Sequence, residues 1–141
     1  MSDFSKKAED KFMEGYSCSE SVVRAAYDEG LIDNSVSVEL LTRIASPFSG
    51  GMSSGCACGA IVGSQMVLGL TFGRKDTNKP PLQIKTIARS FIDRFKQKRN
   101  AVCCRTLTKD YDFNDPERRQ HCKSLVGECA EILEDCIKEN Q

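Results

Sequence analysis

Residues 46–59, SPFSGGMSSGCACG, are too rich in glycine and serine for regular structure, yet they run without a break into an apolar stretch at residues 60–72. That stretch includes Ser64 and Gln65 and falls short of the ~20 residues that a bilayer span requires. It therefore reads as a helix buried in protein and entered from a glycine-rich loop. The remaining chain reads as what buries it, because period-two apolar alternation is almost absent and apolar residues recur at helical spacing.

Phe4, Ala8 and Phe12 share one face ahead of a stop at Gly15. Ser17 and Glu20 match a capping box before Val22, Val23, Ala26 and Tyr27, and Gly30 closes that piece. Leu40, Leu41 and Ile44 mark a third helix, which Pro47 ends. Ile84, Ile87, Ala88, Phe91 and Phe95 form the clearest stripe. Residues 100–114 look irregular, after which Asp115 and Pro116 open a last helix expected to reach Lys138. The expected fold is an all-α, compact single-domain bundle of about five or six helices, spanning residues 1–141. A chain of 141 residues fits one core.

Twenty basic and 20 acidic residues cancel, so no net field recruits nucleic acid or an acidic membrane. The opening MSDFSKKAEDKF lacks the apolar core of a signal peptide, which points to the cytoplasm. The unusual feature is eight cysteines beside a single His. A reducing compartment disfavours structural disulfides, and this content lies below the ~8–10% of disulfide scaffolds. Metal ligation or reversible redox chemistry is the better expectation.

Cys58 stands where the glycine loop becomes a helix, and free amides there would favour its thiolate. Gly59 and Gly63 leave a side-chain-free face on which another helix, or a cofactor such as a sulfide cluster, could pack; the same face makes a homodimer an expectation. Cys18 lies in the first turn of its own capped helix. Cys56 and Cys58 form a C-x-C, and Cys103 and Cys104 are adjacent. Cys122, Cys129 and Cys136 recur every seven residues along one helical stripe, a packing signature that makes Cys129 and Cys136 core residues. His121 reads as an exposed polar residue.

GYSCSESV around Cys18, CGAIVG from Cys58, CRTL from Cys104 and the closing CKSLVGECAEILEDCI together resemble the C_GCAxxG_C_C family, single domains of about this length with four recurrent cysteines. The resemblance covers nearly the whole chain. It implies redox activity and matches the four positions to Cys18, Cys58, Cys104 and Cys122, with Cys103 as the alternative to Cys104; Leu107 favours Cys104. Cys56, Cys129 and Cys136 fall outside the pattern. A related helical domain accompanies haem and iron–sulfur chemistry in the split-Soret type of cytochrome. Here no C-x-x-C-H exists, so covalent haem is not carried over.

The expectation is thus a redox protein that uses these thiols for electron transfer or redox sensing with an unidentified redox partner, either by dithiol/disulfide exchange or by ligating an iron–sulfur cluster. A zinc module held by the same sulfurs and a helical interaction protein with structural cysteines are the alternatives. The residues define no substrate, and so do not decide whether the chain is an enzyme.

Overall fold

The computed structural model describes residues 2–141 and contains seven α-helices: α1 (Asp3–Glu14), α2 (Cys18–Asp28), α3 (Val38–Ala45), α4 (Gly59–Phe72), α5 (Leu82–Arg99), α6 (Cys104–Leu107) and α7 (Pro116–Asn140). Local chemistry sets their starts. Ser2 accepts the Ser5 amide at 3.1 Å, Ser17 and Glu20 close the expected capping box on α2, and Asp115 accepts the Glu117 amide at 2.8 Å. Gly15, at φ +117°, supplies the left-handed residue that stops α1.

Helix α4 packs against α2, α5 and α7, and α7 also covers α1. The resulting core includes Val22, Val23, Ile61, Leu68, Phe91, Phe95, Leu125 and Leu133. Ile87, Phe91 and Phe95 of α5 face this core, as their spacing predicts. Leu41 of α3 also turns inward, but its neighbours Leu40 and Ile44 are 45% and 49% exposed, so that short helix buries a narrower stripe than its sequence suggests.

The fold is all-helical, with one element more than the expected five or six. The addition is α6, four residues within the stretch read as irregular. One turn is too short to display a period.

Gly59 and Gly63 have the predicted role of permitting close approach, and the approaching element is α2. A Cβ on Gly59 would strike the Cys18 sulfur, and one on Gly63 would stand 2.6 Å from the Ser19 carbonyl oxygen. Ser19 also donates to the Ala45 carbonyl at 2.8 Å, pinning α2 to α3. The small-residue face is therefore filled from within the chain, which removes the surface on which the homodimer expectation rested.

Candidate functional site: a cleft lined by four cysteines

A cleft of about 680 Å³ lies where α1, α2, α6, α7 and the start of α4 meet. Cys18, Cys58, Cys104 and Cys122 all line it. Cys56 and Cys103 are exposed outside it, and Cys129 and Cys136 are buried in the core as their heptad spacing predicts. Gly59 borders the cleft, whereas Gly63, one turn further along α4, does not and serves the α2 crossing.

Each sulfur is placed by a different device. Cys18 is the first residue of α2, with its sulfur against Gly59 and the amides of Gly50 and Ser19 turned toward it. Cys58 is the N-cap of α4. Its amide donates to the Val102 carbonyl at 2.8 Å, and the Cys104 amide donates to the Cys56 carbonyl at 2.5 Å. These bonds form an antiparallel bridge between Ala57 and Cys103. The bridge draws Cys58 and Cys104 into one site and accounts for the vicinal pair, because successive residues of an extended segment face opposite ways, with Cys104 at the cleft and Cys103 at the surface. No periodicity reveals a single bridge of this kind.

Cys122 sits in the second turn of α7, and a contact that sequence reasoning missed holds it to α6. His121 Nε2 is 2.8 Å from the Leu107 carbonyl oxygen, and its ring stacks on Tyr111 at 4.9 Å. The residue expected to be exposed is instead half-buried and brackets two cysteine-bearing elements.

The glycine loop is more ordered than its composition suggests. Gly50, Gly51, Met52 and Ser53 all have φ between +55° and +62°, forming a left-handed turn that ends with the Cys56 amide on the Gly51 carbonyl at 3.0 Å. The left-handed conformation costs an L-residue roughly 1–2 kcal/mol, so Met52 and Ser53 hold strain beside the site. Arg105 covers the turn and donates to the Ser54 carbonyl at 3.0 Å.

The electrostatics correct the expectation of an activated Cys58. Burial at 6% exposure pushes its thiol up to about 12, with Cys18 adding to the rise; the amides of Ala60 and Ile61 oppose it without prevailing. Burial likewise raises Cys18, against the amides of Gly50 and Ser19, and Cys122, against the Arg118 guanidinium. Cys18 and Cys104 each disfavour charge on Cys58 and on Cys122, so the sulfurs sense one another. As the side chains lie, no three His, Cys, Asp or Glu among the described residues are grouped closely enough to hold a metal ion.

The fold and the cleft define a helical protein in which four cysteines, brought from separate segments, line one cleft. The family described as "Putative redox-active protein (C_GCAxxG_C_C)" matches residues 16–136, and the chain belongs to it. Searches of curated proteins and of solved structures gave no match. No helix among the described residues is long and apolar enough to cross a membrane.

Proposed function

We propose that the cleft is a redox centre in which Cys18, Cys58, Cys104 and Cys122 act as one unit, cycling between dithiol and disulfide. The observation that carries this reading is selective convergence: these four cysteines line one cleft, and the other four do not. Packing alone gives no reason for that selection, because cysteine as a small core residue is already represented by Cys129 and Cys136. The raised thiols of Cys18, Cys58 and Cys122 suit storage in the reduced form, and Cys18, Cys104 and Cys122, half-buried, are met by a reactant before the buried Cys58. Such chemistry fits a reducing compartment, which we take to be the cytoplasm.

A second reading is an iron–sulfur cluster held by the same four cysteines, favoured by the number and kind of donors. A cluster would supply one-electron transfer, with the chain contributing the sulfurs and the water-excluding walls Phe12, Leu107 and Leu125. A single zinc ion suits the site less well, since no three donors are gathered at one point. Anaerobic purification followed by absorption spectroscopy, metal analysis and thiol counting tests these readings. Colourless, metal-free protein that loses two thiols at a time on mild oxidation supports dithiol cycling. Visible absorption with stoichiometric iron moves the assignment to the cluster, and thiols that oxidise independently overturn both.

A further inference from the structure

Resting on the dithiol reading, we infer that the cleft takes a small disulfide bearing carboxylate groups, and that Arg105 and Arg118 recognise those carboxylates. Two guanidinium groups line the cleft and no carboxylate does. In a chain with equal numbers of acidic and basic residues, this is a local excess of positive charge. Neither arginine has an ion-pair partner among the described residues. Arg105 uses one donor on the Ser54 carbonyl, and Arg118 lies 5.0 Å from the centre of the Phe113 ring. Guanidinium donors left without an ion-pair partner over apolar walls suit a planar carboxylate, the anionic group a small thiol metabolite most commonly carries.

The arginines also stand beside the right cysteines. Arg105 follows Cys104, and Arg118 precedes Cys122 by one helical turn and favours its thiolate. A volume of about 680 Å³ lies within the ~300–1,000 Å³ of small-molecule sites. A disulfide on a folded protein surface would have to enter a concavity in which Cys58 is only 6% exposed.

The reaction balances within the cleft. The Cys104 or Cys122 thiolate attacks one sulfur of the small disulfide, forming a mixed disulfide and expelling one small thiolate. A second cleft cysteine, as thiolate, then attacks the protein sulfur of that mixed disulfide and expels the second small thiolate. Two cysteine thiols become one protein disulfide, and their two electrons and two protons leave with two small thiols. An external dithiol reductant returns the protein to its starting state.

The test compares reduced protein reacting with dithiobis(nitrobenzoate), a dicarboxylate, and with uncharged dithiodipyridine, each by stopped flow with mass-spectrometric site mapping. Arg118→Gln should lower the ratio of the dicarboxylate rate to the neutral rate roughly tenfold, any slowing shared by both reagents reflecting lost support of the Cys122 thiolate, and should weaken the salt dependence of the first reaction alone. Arg105→Gln should behave alike; because Arg105 also braces the left-handed turn, Arg118→Gln decides the matter. Equal slowing of both reagents, or of neither, overturns the carboxylate assignment. So does a disulfide-linked neutral peptide reacting as fast as the dicarboxylate. Charge selectivity that ends in singly modified cysteines, without an internal disulfide, would preserve the anion site and defeat the dithiol reading.

Discussion

Cys58 occupies a position that general helix chemistry would give to another residue. An N-cap favours Ser, Thr, Asp or Asn, whose oxygen accepts an amide of the first turn, and the Cys58 sulfur, although near the Ala60 and Ile61 amides, closes no cap bond of that kind. Cys58→Ser should therefore retain or raise the melting temperature, with a gain of about 0.5–1 kcal/mol, while abolishing the redox response. Thermal melts and thiol counts after mild oxidation check the two halves separately. The glycine loop and helix start around Cys58 are legible in the sequence; the sign of its pKa shift is not. Helix-start amides can be read from local order, whereas burial depends on α2 and the bridge arriving from elsewhere.

That sign has a consequence for stability. A thiol raised from 9.0 to about 12 stays protonated in the folded protein while its unfolded counterpart ionises. The native state then binds more protons than the unfolded state between those values, so the contribution is complete below about pH 9 and is lost as the pH climbs toward 12. The urea midpoint of reduced, metal-free protein should fall across this window. Cys58→Ala should flatten part of that fall, on the order of 2 kcal/mol by about pH 10.5. Identical slopes in the two proteins would contradict the assignment of a buried thiol.

Among the elements, α4 owes its place to what it lacks. Gly59→Ala would set a methyl group against the Cys18 sulfur and 3.0 Å from the Phe48 carbonyl oxygen, for an expected loss of about 1–3 kcal/mol. Leu68→Met, a volume-conserving change in the same helix, should cost less than about 1.5 kcal/mol. Part of the Gly59→Ala loss should disappear in a Cys18→Ala background, a coupling that a double-mutant cycle of urea midpoints measures directly. The left-handed turn gives the opposite expectation: Ser53→Gly relieves a residue at φ +55° and should stabilise by about 0.5–1 kcal/mol in thermal melts. The stripe of α5, the capping box of α2 and the Asp115–Pro116 start of α7 were all readable, because each is encoded within a few residues. The turn at 50–53 and the one-turn α6 were not, since their conformations are set by Arg105, Cys56 and the bridge to residue 103.

At the scale of the whole molecule, cysteine spacing separates into two meanings. Cys122, Cys129 and Cys136 share a stripe but stand roughly 10 Å apart per heptad, too far for a common bond. Cys18, Cys58, Cys104 and Cys122 are scattered in sequence and reach one cleft through the α2–α4 crossing, the Ala57–Cys103 bridge and the His121 bracket. Their order and motifs pointed to the same four residues through family resemblance, but the cleft, its arginines and the bridge depend on contacts between distant segments. The most direct measurement is the number of thiols lost on mild anaerobic oxidation, together with the urea midpoint, for Cys18→Ser, Cys58→Ser, Cys104→Ser, Cys122→Ser, Cys129→Ala and Cys136→Ala. A shared centre predicts that the first four variants each lose the reversible response to a similar extent, while the last two keep it and lose stability on the order of 1 kcal/mol through packing. Loss of the response in Cys129→Ala at unchanged stability, with Cys18→Ser unaffected, would contradict the account and place the chemistry on α7.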